Sequence, residues 1–283
     1  MKAILNLFKV RIGVAIALAA AAGFAVQPGS SPGKIASVVL VLAVLIASAA
    51  AGAFNQYVER DIDRRMARTQ GRPFVTGALK HGPFWLWIIG AMIVSSFIAV
   101  LVSSNVIAAV YVFLGAFTYG VVYTVWLKRR TWWNIVVGGL AGSFAVLAGA
   151  AAVTPAPGPA AAALALVLFL WTPPHFWSLA IACRRDYEQA GVPMLPVVVG
   201  DARAAQAILA SAALLVLASL VPFLFSLGWA YLIAAAAGGL YFLLKCVRLA
   251  RRPNRVTARA AFLASLVQLC AVLFGAMLDV AIA

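Results

Sequence analysis

Long apolar runs of similar length alternate with short polar gaps from one end of the chain to the other. Crossing a hydrocarbon core of about 30 Å at 1.5 Å per residue takes roughly 20 residues. Cutting wherever charge or Pro/Gly clusters interrupt runs of that length leaves nine segments: 10–26, 35–57, 84–102, 106–127, 132–153, 160–183, 203–225, 228–247 and 258–279. The pattern predicts an all-α polytopic membrane protein of about nine transmembrane helices, read as a single domain over 1–283.

Composition agrees with the pattern and charge adds direction to it. The 283 residues are 65% apolar with a mean hydropathy of +1.03, whereas about half of a soluble domain is apolar. Lys and Arg number 22 against 7 Asp and Glu, a net charge of +15. A nucleic-acid binder would carry that excess on a solvated surface, but here it fills the gaps between apolar runs, which argues against a nucleic-acid partner and for orientation in lipid. Assigning each cation to its nearest connection, segment ends included, puts three at the start of the first segment, six between the second and third, three between the fourth and fifth, three between the sixth and seventh, and six between the eighth and ninth. Only Lys34 falls on the other side. The alternation places the N-terminus in the cytoplasm and the C-terminus outside the inner membrane, with membrane lipid as solvent. Cys183, Cys246 and Cys270 show no CxxC spacing and are read as packing residues. No cleavage site or transit region precedes residue 10, so 10–26 is read as a retained helix.

The acidic minority carries the chemistry. Glu59, Asp61 and Asp63 follow the second segment, Asp186 and Glu188 follow the sixth, and Asp201 and Asp279 stand apart. Both clusters end helices of the same orientation, as in a parallel internal repeat, so they are placed to face one cavity. The string FNQYVERDIDRRMARTQGRP has no Gly or Pro from Ala53 to Gln70, so the second helix is expected to run past the bilayer surface. Steps of four residues advance about 40° around a helix and about 6 Å along it. Asn55, Glu59 and Asp63 therefore form a ladder of oxygen ligands suited to Mg2+, while Asp61 points away toward Arg64 or Arg65. Arg68 and Arg72 beside such a ladder suit phosphate oxygens, and together they outline a diphosphate site.

The second cluster supplies Asp186 as an opposing ligand, flanked by Arg184, Arg185 and Tyr187 as candidate substrate binders. Gly191, Pro193 and Pro196 predict a non-helical stretch lying over the cavity, with Met194 and Leu195 facing a lipid-like substrate. Lys128, at the end of the fourth segment, is within reach of a diphosphate or an acidic acceptor. His175, beside Pro173 and Pro174, sits at membrane depth about 13 Å from the charges at Arg184, and the prolines are expected to kink its helix. An ionisable residue there points to function. His81, in a basic loop, is expected to be solvated, and the cations from Lys245 to Arg259 to anchor lipid headgroups.

These residues, on nine helices with two acidic loops on one side, resemble the UbiA superfamily of intramembrane prenyltransferases, whose signature is NxxxDxxxD after the second helix and a second Asp motif after the sixth. The strings NQYVERDIDRRMARTQGRP, WTPPHFWSLAIACRRDY and AGVPMLPVV look like its protoheme IX farnesyltransferase branch, and the likeness runs through essentially the whole chain. The resemblance implies a UbiA-type bundle that moves farnesyl from farnesyl diphosphate to a vinyl group of protoheme IX (heme B) with addition of water, giving heme O. It makes Asn55, Glu59, Asp63 and Asp186 the catalytic metal ligands. It also implies downstream contact with heme A synthase or oxidase assembly proteins. Glu59 stands where the superfamily has Asp, and Ala190 occupies the position four after Asp186, so one firmly held Mg2+ is expected and a second is open.

Ionising an allylic diphosphate needs cations at the phosphates and a dry aromatic wall. Candidates for the wall are Phe54, Tyr57, Tyr119, Trp171, Phe176 and Trp177. His175 has three open roles: binding or orienting heme, acting on the quenching water, or bonding across helices. A transporter is the main competing class and predicts ionisable residues near the midplane. A non-catalytic assembly protein leaves the ladder unexplained, and a quinone or chlorophyll-type acceptor would keep the metal site and change the pocket.

Overall fold

The computed structural model describes residues 2–30 and 32–283. Nine helices fall on the predicted segments: α1 Val10–Val26, α2 Lys34–Val58, α3 Phe84–Ser103, α4 Val106–Leu127, α5 Asn134–Val153, α6 Pro159–Ala182, α7 Asp201–Leu224, α8 Trp229–Arg251 and α9 Arg255–Ile282. Eight are 18 residues or longer and apolar enough to cross a membrane, and α1 is shorter at 17. Large apolar side chains such as Ile35, Trp87 and Val102 stand bare on the outside, as the surface of a multi-pass membrane protein does where lipid covers it.

Each helix packs on its sequence neighbours, and α9 returns to α1, closing the bundle. Between α1 and α5 the contact is closest. A Cβ on Gly23 would overlap the Val146 carbonyl, and one on Gly149 would overlap the Ala20 carbonyl. Small residues let backbones meet where lipid gives no hydrophobic drive to helix pairing. Polar groups secure the end remote from the acidic clusters. Asn105 caps α4 through Ala108 N–H and donates to the Ala151 carbonyl. Asp279 accepts from the Gly228 and Tyr231 N–H groups at the start of α8, giving that isolated carboxylate a capping role.

Three local expectations change. The second helix does not run to Gln70: α2 stops at Val58, Arg60–Arg65 forms a short separate turn, and Met66 is extended. The Thr69 hydroxyl takes the Asp63 carbonyl at 3.0 Å, which folds the chain back. Across the break, Glu59 N–H still bonds Asn55 O (3.0 Å) and Asp63 N–H bonds Glu59 O (2.8 Å), so the ladder keeps its phase. Beyond α6, Pro196 opens the short helix Leu195–Val199, because its missing N–H costs nothing in a first turn. Met194 and Leu195 are buried in the core and do not face the cavity. The α6 helix is continuous through Pro173 and Pro174, and Ser178 donates to the Pro174 carbonyl at 2.7 Å. His81 is not simply solvated: it stacks on Tyr57 at 4.1 Å and bonds the Tyr57 carbonyl at 3.1 Å.

One element had no counterpart in the sequence reading. From Thr118 to Leu127, α4 widens into a π-helix, in which each N–H reaches back five residues, as Lys128 N–H does to Tyr123 O at 2.9 Å. Such widened turns gather at functional sites. Here the widening puts Tyr119, Tyr123, Thr124 and Lys128 on the side of α4 that meets the end of α2.

Candidate active site

Asn55, Glu59 and Asp63 line up at the end of α2 and are buried, with 2%, 0% and 2% of their surface exposed. Three oxygen-bearing side chains removed from water need partners, and each has found a cation. Lys9 Nζ donates to Asn55 Oδ1 at 2.6 Å, Lys128 Nζ to Glu59 Oε2 at 2.6 Å, and Arg72 Nη1 to both Asp63 oxygens at 2.7 and 2.6 Å. The Asn55 amide is aimed by the π-helix: its Nδ2 donates to Thr124 Oγ1 at 3.0 Å, which turns Oδ1 toward Lys9. Tyr119 and Tyr123 stack at 5.4 Å and lie under the ammonium groups of Lys9 and Lys128, at 5.7 and 5.6 Å from the ring centres.

Burial lifts the Asp63 carboxyl above its ordinary range against the pull of Arg72. Burial, with Arg72 nearby, lowers the Lys9 ammonium to about 7. By contrast Asp61, on the outer side of the same turn, is held low by the Arg129 guanidinium that donates to it at 2.8 Å. The sequence reading had paired Asp61 with Arg64 or Arg65.

The second cluster meets the first through one residue. Arg68 N–H donates to Asp186 Oδ2 at 3.2 Å and its guanidinium to the Tyr187 hydroxyl at 3.1 Å. Both acidic clusters thus open at the same end of the bundle. Arg184 is elsewhere, paired outside with Glu188 at 2.6 Å and Asp201 at 3.3 Å, and Arg185 is exposed. Neither reaches the cavity.

Beneath the ladder lies a cavity of about 560 Å3, with Lys9, Arg68 and Tyr119 at its charged end and Trp171, His175 and Phe262 along an apolar wall. Of the six aromatic candidates, Tyr119, Trp171 and Phe176 line it. Phe54 lines a separate apolar crevice between α2, α3 and α4, Tyr57 packs on Phe74 and His81, and Trp177 is buried beside Trp132. His175 lies between the Trp171 and Phe262 rings, 4.0 and 4.5 Å away. Its Nδ1 is 2.7 Å from Ser265 Oγ, and that hydroxyl gives its own proton to the Phe262 carbonyl at 2.7 Å. A neutral His175 therefore carries its proton on Nδ1, which leaves Nε2 as an acceptor.

Whether the ladder fits a metal is answered by one atom. Glu59 Oε1 is buried without a hydrogen-bond partner, a costly state for a carboxylate oxygen. No group of three His, Cys, Asp or Glu capable of holding a metal occurs among the described residues. Two carboxylates and an amide suit Mg2+, which keeps several positions for water and substrate phosphate. The sequence reading counted Lys9 only as an orienting charge and did not single out Tyr123, Thr124 or Ser265. Nothing in their spacing marks them, since each acts across helices.

Residues 15–269 match the UbiA prenyltransferase family. The chain is 53% identical over 279 residues to protoheme IX farnesyltransferase 2 of Paramagnetospirillum magneticum, covering 99% of this chain and 97% of that one. It is 38% identical over 282 residues to protoheme IX farnesyltransferase of Granulibacter bethesdensis, covering 96% and 88%. Among solved structures, a digeranylgeranylglyceryl phosphate synthase superposes with a TM-score of 0.77 at 19% identity over 98% of both chains. A UbiA homolog from Archaeoglobus fulgidus bound to DMAPP and Mg2+ gives 0.73 at 18% identity over 97% and 98%. With the buried ladder, its paired cations and the closed nine-helix bundle, these likenesses make the chain a member of the UbiA prenyltransferase family.

Proposed function

We infer that this protein transfers the farnesyl group of farnesyl diphosphate to a vinyl group of protoheme IX, with one water added, giving heme O and diphosphate. The reaction class is supported by the buried oxygen ladder, with its unpaired Glu59 Oε1, joined through Lys9 to the charged end of an apolar cavity. The choice of heme and farnesyl rests on the relative that shares 53% identity along nearly the whole chain.

Asn55, Glu59 and Asp63, with Asp186 opposite, hold Mg2+ in this reading, and one firmly held ion suits two buried carboxylates. Bound there, Mg2+ would supply positive charge to neutralise the leaving diphosphate. Arg68, Arg72 and Lys128 then bind phosphate oxygens, and Tyr187 holds the Arg68 guanidinium in place. Tyr119, Trp171 and Phe176 wall the allylic cation and keep water from it until the vinyl carbon has attacked. His175 presents an unprotonated Nε2 beside this wall, the form that ligates iron, so of its three open roles heme binding is best supported. Replacing it with Ala is expected to abolish the absorbance shift of added heme. An unchanged spectrum with altered product would assign it to water handling instead.

The cation distribution supports an inner-membrane location with the ladder on the cytoplasmic side and the C-terminus outside. Incubating purified protein with protoheme IX, farnesyl diphosphate and Mg2+ tests the reading. A heme heavier by farnesyl plus hydroxyl is expected, and recovery of only unmodified heme from folded protein sinks it.

A further inference from the structure

Every rung of the ladder has a cation within hydrogen-bond reach, and the cation on the first rung is held by the most contacts from the chain around it. Lys9 stands between the short helix Lys2–Leu7 and α1 in a left-handed conformation, φ 46°, which a non-glycine residue adopts only where the surroundings impose it. The surroundings are visible. Gln56 Nε2 donates to the carbonyls of Asn6 and Leu7 at 2.8 and 3.1 Å, tying the preceding turn to α2. The Lys9 stem crosses Gly52, where a Cβ would come within 3.4 Å of it. The ammonium then reaches Asn55 Oδ1 and, at 3.2 Å, the Tyr119 hydroxyl, while also lining the charged end of the cavity.

That position conflicts with a metal. An ammonium and a divalent ion cannot share Asn55 Oδ1, because two unscreened cations at such separations in a low-dielectric site repel strongly. Glu59 Oε1 stays unpaired although Lys128 and Arg72 stand 2.6 and 3.9 Å from Glu59 Oε2, so the cage of cations leaves room for a further ligand. We propose that Lys9 is an exchangeable counter-ion: it occupies the Asn55 rung in the metal-free protein and moves to the diphosphate of the incoming isoprenoid when a divalent cation takes that rung. Metal and diphosphate therefore bind as a pair, each weakened without the other. The inference rests on the prenyl diphosphate reading and goes beyond it by assigning the coupling to one side chain.

The test uses the whole purified protein in lipid nanodiscs, with Mn2+ and inorganic pyrophosphate as probes and no turnover. Mn2+ binding is titrated by electron paramagnetic resonance with and without pyrophosphate. Wild type is expected to bind Mn2+ at least about 10-fold more tightly when pyrophosphate is present, within the usual range of coupling between sites. In Lys9→Met, Mn2+ alone should bind several-fold more tightly than to wild type, pyrophosphate more weakly, and the coupling should shrink by about 10-fold. Lys9→Gln, which keeps a polar group but no charge, should behave the same way, and Arg130→Met, which removes an exposed charge that lines no part of the cavity, should leave the coupling intact. A Lys9 variant that weakens Mn2+ alone and Mn2+ with pyrophosphate equally makes Lys9 a scaffold and overturns the proposal. So does one that changes neither. Wild-type protein gives an independent check: amine acetylation at Lys9, read by mass spectrometry, should rise with Mn2+ alone and fall when pyrophosphate is added, and labelling indifferent to both also overturns it. If pyrophosphate leaves Mn2+ binding unchanged in wild type, the prenyl diphosphate reading itself fails.

Discussion

Two acidic stretches end two helices of the same bundle, and they are built differently. At the end of α2, Glu59 and Asp63 side chains are 1% and 2% exposed and face Lys128 and Arg72. At the end of α6, Glu188 is 42% exposed and bonded to an Arg184 that is itself 36% exposed. Exposed pairs contribute about 0–1 kcal/mol, since water serves the separated ions nearly as well. Buried pairs seldom improve on an apolar core, because desolvation cancels most of the attraction. A chain that nevertheless sinks two carboxylates and their cations beside an apolar cavity is spending stability on chemistry. Even within one turn the contrast holds: Asp61, 55% exposed against Arg129, lies between two buried carboxylates and pairs outward.

The contrast can be broken in graded steps. Asp63→Asn is expected to lower farnesyl transfer by about 100-fold or more, the scale of losing a group that stabilises developing charge, with folded protein still recovered in size-exclusion chromatography. Retained activity would remove the metal assignment. Asp186→Asn should cost less, about 10-fold in kcat/KM, because Asp186 is only half-buried, and as the opposing ligand it holds the ion less firmly than the buried Asp63. A loss equal to that of Asp63→Asn would show two equivalent metal motifs. Arg184→Ala should change kcat/KM by less than about twofold, in keeping with a surface pair. A larger drop would place the second loop over the substrate after all.

Much of the architecture was legible because lipid imposes a length on every crossing, and runs such as 35–57 and 84–102 carry no competing signal. The ladder was legible because four-residue spacing survives the break at Glu59. Lys9 was not, since a cation before a first helix is expected for orientation alone, and its contact with Asn55 spans 46 positions. The folding back of Arg72 was hidden because it depends on Thr69 capturing a carbonyl that a longer helix would have used. Nor did any spacing disclose the pairing of Lys128 with Glu59, which depends on how α4 is wound.

That winding acts as a phase shifter. Each residue of an ordinary helix turns the chain by about 100°, so the π-helix at 118–127, whose N–H groups reach back five residues, resets the rotation of everything after it. Deleting a position between Tyr123 and Lys128 would shift that rotation, swinging the lysine off its carboxylate. The length of this helix, counted to the residue, is thereby as much a part of the reaction centre as the side chains it carries.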